Sequence, residues 1–285
     1  MEARTERRGR GTIIIDTRWL GIGGPGRVTE LLVRGMLERP ERRLSWAAWN
    51  GRELSSIDAK ALNRSETDPR RRAGQAGTGN VPRGKGLMVF MHQSRPLLGP
   101  RNITLMHDTI QLNNARGTMD RTAKSTFLRG IVASSAHIVT VSEWSRGQIV
   151  DLLGADPGRV SVLPNPVDDQ VAARIGALRD EIAERPPLAL FVGRFASHKN
   201  LPRLVEAFRA SGFAADGGRL ALVGGTPDEI VSLTADCEDL RDVELVTSCS
   251  QDELEHWYAR ASLVVQPSIF EGFGLPVAEA LAAGI

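Results

Sequence analysis

Short apolar runs alternate along this chain with stretches in which apolar positions recur every three or four residues. Thr12-Ile-Ile-Ile-Asp16 is almost continuously apolar, the pattern of a strand buried on both faces. Similar runs predict strands at 45–49, 87–90, 102–106, 136–141, 160–163, 188–192, 219–223, 243–246 and 263–265. Between them the period becomes helical. Val28, Leu31, Leu32 and Met36 repeat at helical spacing, and 124–134 reads as helix. Ser142 as N-cap and Gly154 as terminator bracket a helix over 143–153. Leu201, Leu204, Val205 and Phe208 form one stripe behind Asn200 as a capping residue, with Gly212 as the stop. Thr226 with Glu229 and Ser250 with Glu253 are capping-box pairs. Leu254, Trp257, Tyr258 and Ala261 share a helix face and read as core. This alternation predicts an α/β protein of parallel sheets covered by helices.

Punctuation divides the chain. Pro164 and Pro166 stiffen the peptide around Asn165 into an extended crossing, so the boundary is placed within 166–186. That gives an N-terminal domain of residues 1–170 and a C-terminal domain of 171–285. The stretch 51–86 has no period, carries Arg70-Arg-Arg72 and is rich in Gly, Thr and Asn. It reads as a mobile surface loop, and a solvated loop outweighs one that meets an anionic lipid or polysaccharide.

Composition narrows the function classes. With 285 residues and 41% hydrophobic content the chain can fill two cores. A net charge of +2 argues against a dedicated nucleic-acid binder. Cys237 and Cys249 form neither a disulfide framework nor a metal spacing, and they read as free thiols of a reducing compartment. No apolar run reaches the length of a membrane span, and the basic start is not followed by a secretion signal. The expectation is a cytoplasmic protein, with a peripheral contact at the inner membrane face left open.

Four places carry candidate chemistry. Gly21, Gly23 and Gly26 formally match the dinucleotide fingerprint G-x-G-x-x-G, although Pro25 and the insert 17–20 suit its tight turn poorly. His107-Asp108 closes a predicted strand, where sites of open parallel sheets gather. Arg194 and Lys199 lie on a strand-to-helix loop beside a helix N-terminus, an arrangement suited to a diphosphate. Last, Glu271-Gly-Phe-Gly-Leu-Pro-Val-Ala-Glu279 follows a predicted strand and opens a helix. Pro276 falls in the first turn, and the amides of Phe273, Gly274 and Leu275 are left for an anion.

Glu271 and Glu279, with Gly-Phe-Gly-Leu-Pro between them, closely resemble the E-x7-E motif of the family 4 retaining glycosyltransferases. The resemblance covers essentially 12–285 apart from 51–86. It implies two Rossmann-like domains facing across a cleft, the GT-B fold, closing on a nucleoside-diphosphate sugar donor. It implies donor phosphates held by Arg194, Lys199 and the backbone of Gly272, Phe273, Gly274 and Leu275. Glu271 is then expected on the sugar hydroxyls and Glu279 on the ribose hydroxyls. His107 is expected on the transferred sugar or the acceptor, and Gly23 and Gly24 in a glycine loop near both. The acceptor is expected to be a glycan or lipid-linked hydroxyl of surface polysaccharide or glycolipid assembly, with a mannose- or rhamnose-type sugar. No Asp-x-Asp triplet is present, so no metal is expected, nor any cofactor besides the donor substrate.

Members of that family continue beyond the motif helix with a further strand and several helices. This chain stops at Ile285, so the second domain is expected to be incomplete at its C-terminus. Two other readings stay open: an inactive nucleotide-sugar-binding or scaffold protein of the same fold, and a nicotinamide dehydrogenase built on the glycine fingerprint.

Overall fold

The computed structural model describes residues 12–19, 23–37, 45–49, 54–56, 87–95, 97, 102–184, 186–237 and 239–285. The chain separates into two compact units after Pro166.

In the first unit, β1 (Thr12–Asp16) leads to α1 (Gly23–Leu37), then β2 (Ser45–Trp49), β3 (Leu54–Ser56), β4 (Leu87–Phe90) and β5 (Asn102–Leu105). There follow α2 (Ile110–Asn113), α3 (Thr118–Ser134), β6 (His137–Thr140), α4 (Glu143–Leu153) and β7 (Val160–Val162). The sheet order is β3-β2-β1-β4-β5-β6-β7, parallel except for β3 against β2. β1 is an interior strand, with Ile14 opposite Ala47 on one flank and Met88 on the other. Its apolar run is therefore wanted on both faces, and Ile14 and Ile15 are buried. On one side Met106, Leu128, Ile131, Ile138 and Ile149 pack into a continuous core.

The second unit runs α5 (Asp169–Glu181), β8 (Leu188–Val192), a 3-10 turn (Ser197–Lys199), α6 (Leu201–Ala210), β9 (Arg219–Gly225) and α7 (Pro227–Asp236). It ends with β10 (Val243–Thr247), α8 (Gln251–Arg260), β11 (Leu263–Val264) and α9 (Leu275–Ala282). Its parallel sheet has the order β10-β9-β8-β11. Leu190 and Ala221 face one apolar cluster with Tyr258 and Ala280, while Phe191 and Leu222 face the other with Leu204 and Phe208. Alternate strand residues thus feed helix layers on both faces of the sheet.

The local signals hold where they were strong. Ser142 Oγ accepts the Ser145 amide, Gly154 is left-handed, and both capping boxes form. They fail where tertiary context decides. Within 51–86, Leu54–Ser56 is not loop but a short strand added to the edge of β2, too brief to show a period; residues 57–86 lie outside the described residues. The stretch 166–186 holds α5, capped by Asp168, whose Val171, Ala172 and Ile175 are buried. α3 begins at Thr118 rather than 124, steadied by Asp120, which accepts from the Arg116 amide and Lys124 Nζ, both at 2.7 Å. The strand expected at 263–265 is a two-residue edge strand with Leu263 exposed. Gly23 and Gly24 sit in the first turn of α1 rather than in a loop ahead of it, and Gly21 lies outside the described residues.

Candidate functional site

Each sheet reverses its strand order beside its first strand. β2 lies on one flank of β1 and β4 on the other; β9 lies on one flank of β8 and β11 on the other. Open α/β sheets bind ligands beyond the carboxyl ends of the strands at this reversal. In both units the sequence-predicted residues collect there.

In the first unit Asp16 ends β1 fully buried. Arg18 folds back on it, Nε to Oδ1 at 2.8 Å and Nη2 to Oδ2 at 2.7 Å, with side chains 4% and 0% exposed. Trp19 lies against the His92 imidazole, ring centroids 4.0 Å apart, and His92 stands 5.8 Å from the His107 ring. His92 Nδ1 accepts the Ser94 amide at 3.0 Å, which places the proton of the neutral ring on Nε2. His107 Nε2 is 3.2 Å from the Met91 carbonyl, an acceptor only, so here Nε2–H donates and Nδ1 keeps the lone pair. The Gln93 side chain ties the ends of β4 and β5 together, accepting the His107 amide and donating to the Asp108 carbonyl. Asp108 itself accepts the Ile110 amide at 3.0 Å and starts α2.

Burial pushes the His92 imidazole down to about 3, with His107 and Arg18 adding to the effect. Burial also lowers His107, and its bond to Met91 offsets only part of that. These strand ends therefore present neutral histidines at physiological pH. Trp19 Nε1 and Thr109 Oγ1 are buried there without a hydrogen-bond partner among the described residues.

The second unit gathers charge instead. Lys199 Nζ reaches Glu271 Oε2 at 2.6 Å, and Gln266 Nε2 donates to the same oxygen at 3.2 Å. The loops that bring them together, after β8 and after β11, are joined along their length. The Ile269 amide donates to the His198 carbonyl at 2.9 Å, and the His198 and Phe270 rings stack at 5.4 Å and 10°. Asn200, expected to cap α6, is left-handed at φ 58° and makes no cap. Its Nδ2 donates across to the Pro267 carbonyl at 3.4 Å. Gly274, at φ 81°, turns the chain into α9, a conformation that glycine takes without steric cost. The amides of Phe273, Gly274 and Leu275 donate no hydrogen bond to the described residues, so the N-terminus of α9 is open to an anion.

Arg194 leans the other way, toward β9. Its Nη2 and Nε meet Glu229 Oε1 at 2.6 and 3.1 Å, with the Arg194 side chain 74% exposed. Glu229 also accepts the Thr226 amide at 3.0 Å and the Phe195 amide at 3.4 Å. Burial raises its carboxyl, but the Thr226 amide and Arg194 outweigh that and leave it below the usual carboxylate range. The ends of β8 and β9 approach so closely that a Cβ on Gly224, at φ 111°, would stand 2.9 Å from the Gly193 carbonyl oxygen. Glu279 points inward, 7% exposed, and accepts from the Tyr258 hydroxyl at 2.9 Å.

The structure thus brings Lys199, Glu271 and the Gly272–Leu275 turn together, turns Arg194 of the same loop away toward Glu229, and buries Glu279 within the motif helix. His107 belongs to the first unit's cluster. Sequence reasoning missed Glu229 and Tyr258, read only as a cap and as core, and missed His92, Trp19 and the Asp16–Arg18 pair. A lone aromatic or acid in a periodic pattern carries no sign of the distant residue it will meet. Among the described residues no group of three or more His, Cys, Asp or Glu could hold a metal ion.

A parallel sheet in each unit, with one antiparallel edge strand in the first and with charged and polar residues at both strand-order reversals, is the architecture of the GT-B glycosyltransferases. Anabaena Alr3699/HepE, solved in complex with UDP, superposes at a TM-score of 0.62 with 15% identity, over 96% of this chain and 79% of that one. Within that class each unit matches a glycosyltransferase family: residues 85–171 match the family described as "Glycosyltransferase Family 4" and 179–285 the one described as "Glycosyl transferases group 1". The D-inositol 3-phosphate glycosyltransferase of Frankia alni is 35% identical over 54% of this chain and 42% of its own length. The O-antigen chain mannosyltransferase RfbU of Salmonella typhimurium is 28% identical over 70% of this chain and 54% of its own. The chain spans about half the length of these relatives.

Proposed function

We propose that this protein moves a sugar from a nucleoside-diphosphate donor to an acceptor hydroxyl with retention at the anomeric carbon. The observation that carries the reading is the Lys199–Glu271 pair, held where the second sheet reverses, beside the open amides of α9. Breaking the glycosidic bond leaves negative charge on the departing diphosphate. Fixed cations and amide dipoles stabilise that charge without reorganising, and each such donor is worth roughly 2.7–4 kcal/mol in the transition state. Lys199, Arg194 and the Gly272–Leu275 backbone are assigned this task, so transfer without a divalent metal is part of the proposal. Glu271 takes the hydroxyls of the transferred sugar and Glu279 those of the ribose. His107, with Nδ1 as acceptor, takes a hydroxyl of the sugar or acceptor. The donor sugar is proposed to be mannose or rhamnose in type and the acceptor a glycan or lipid-linked hydroxyl of surface polysaccharide or glycolipid assembly; of this, the name of the O-antigen chain mannosyltransferase supports the mannose donor and the glycan acceptor. The proposed place of action is the cytoplasm.

Thermal melting with GDP, UDP, dTDP and their sugars, in the presence of a chelator, tests the reading. Stabilisation by one nucleoside diphosphate is expected, about 2.7 kcal/mol at a hundred times its dissociation constant. No shift with any of them overturns it. Binding without turnover across donor and acceptor panels selects a binding protein of the same fold.

A further inference from the structure

The one tyrosine of the chain stands in an apolar setting. Tyr258 is 1% exposed and packs with Val171, Ile175, Leu188, Leu190 and Ala221. Phenylalanine would fill that space equally well, so packing does not explain the hydroxyl. A buried phenol needs a partner, and this one has Glu279 Oε2 at 2.9 Å, with the Pro276 carbonyl farther off at 3.4 Å. α8 carries the tyrosine and α9 the glutamate, so the contact fixes a carboxylate of the motif helix from a neighbouring helix. A Glu side chain has three rotatable bonds. A donor on one oxygen removes most of that freedom and sets the direction of the other.

We propose that Tyr258 is a positioning residue for ribose recognition: its hydroxyl holds Glu279 in the orientation that accepts hydrogen bonds from the ribose hydroxyls of the donor. The proposal deepens the functional reading above and rests on it. The chemistry is a neutral vicinal diol meeting one preset carboxylate oxygen. Removing either hydroxyl of the diol or the hydroxyl of Tyr258 weakens the same contact. The two losses are therefore not additive.

The test uses the 285-residue chain, the nucleoside diphosphate that stabilises it, and its 2′-deoxy and 3′-deoxy forms, with affinities read by calorimetry. The readout is the ratio of ribo to deoxy affinity. A merely structural defect lowers the melting temperature and shifts all three affinities together, leaving that ratio alone. Wild type is expected to prefer the ribonucleotide. Tyr258→Phe is expected to lose about tenfold of that preference, the worth of one hydrogen bond to a charged group. Glu279→Gln should lose at least as much, and the double variant no more than Glu279→Gln alone. If Glu279→Gln abolishes the preference while Tyr258→Phe keeps it, the positioning role is overturned and the ribose role of Glu279 stands. If wild type itself does not distinguish ribo from deoxy forms, the ribose reading falls and this proposal with it.

Discussion

The two sheets reverse their strand order in the same way, yet their reversal points are chemically unlike. In the first unit the groups at the strand ends are wholly or partly buried and, Asp108 apart, electrically neutral in sum. Arg18 is closed on Asp16, and His92 and His107 are kept uncharged by their surroundings. In the second unit the groups are ionic and partly open: Lys199 with Glu271, Arg194 with Glu229, and a helix N-terminus whose first amides donate no hydrogen bond to the described residues. A neutral donor–acceptor set suits hydroxyls, and fixed cations beside a helix N-terminus suit phosphate. Topology supplies the location; the residues at the strand ends supply the charge.

The sharpest break of this comparison is Lys199→Ala. It removes the more buried cation of the second unit and leaves Glu271 unneutralised at the anion site. A fall of about a hundredfold or more in transfer rate is expected, with loss of most of the stabilisation by nucleoside diphosphate. Single-turnover assays and melting with ligand read both effects. An effect below tenfold would remove Lys199 from the phosphate site.

The first unit is broken by acid rather than by a change of charge. The unfolded chain takes up a proton on His92 near 6.5, the folded chain only near 3. Between those values the unfolded state binds more protons, so stability falls as pH falls from 6.5 toward 3 and is fully present above that window. From pH 7.5 to pH 5 the loss is about 2 kcal/mol from this residue. Urea midpoints at the two pH values measure it, and His92→Gln, which can still accept the Ser94 amide, should flatten the difference.

A smaller effect sharpens the role of Glu271. Glu271→Gln keeps the size and hydrogen-bonding reach but loses the charge that Lys199 and Gln266 share. Affinity for the free nucleoside diphosphate should hold within about threefold, while affinity for the donor sugar falls about tenfold, the worth of a hydrogen bond to a charged group. Calorimetry with both ligands separates the two. The smallest expected change is the stability of Arg194→Ala. The pair with Glu229 is largely exposed on the Arg194 side, so its loss should alter the melting transition by no more than about 0.5 kcal/mol while donor binding weakens.

Different parts of the molecule were legible in the sequence to different degrees. Strands such as Leu188–Val192 and helices such as Glu143–Leu153 appear at their predicted places because period and caps are local properties. The helix Asp169–Glu181 carried its signal in Val171, Ala172 and Ile175 but lay in a stretch assigned to a boundary. Of the site, the Glu271–Glu279 motif and the Arg194 and Lys199 loop could be read as groups near a helix N-terminus. Their partners could not: Lys199 and Glu271 are 72 positions apart, and Arg194 and Glu229 are 35.

By itself the sequence determined the alternation of strand and helix, the glycine turn at Gly274 and the kinds of charge at the strand ends. Each depends on neighbours within a few residues, through backbone sterics, capping and burial period. Only the tertiary structure decided that Arg194 turns toward Glu229 and not toward Lys199, that Asn200 serves the Pro267 carbonyl instead of a cap, and that the hydroxyl of Tyr258 serves Glu279. The first two outcomes follow from the order β10-β9-β8-β11, which sets β8 between β9 and the much later β11 and hands its loop residues a partner on each side; the third follows from the packing of α8 and α9 into one core cluster.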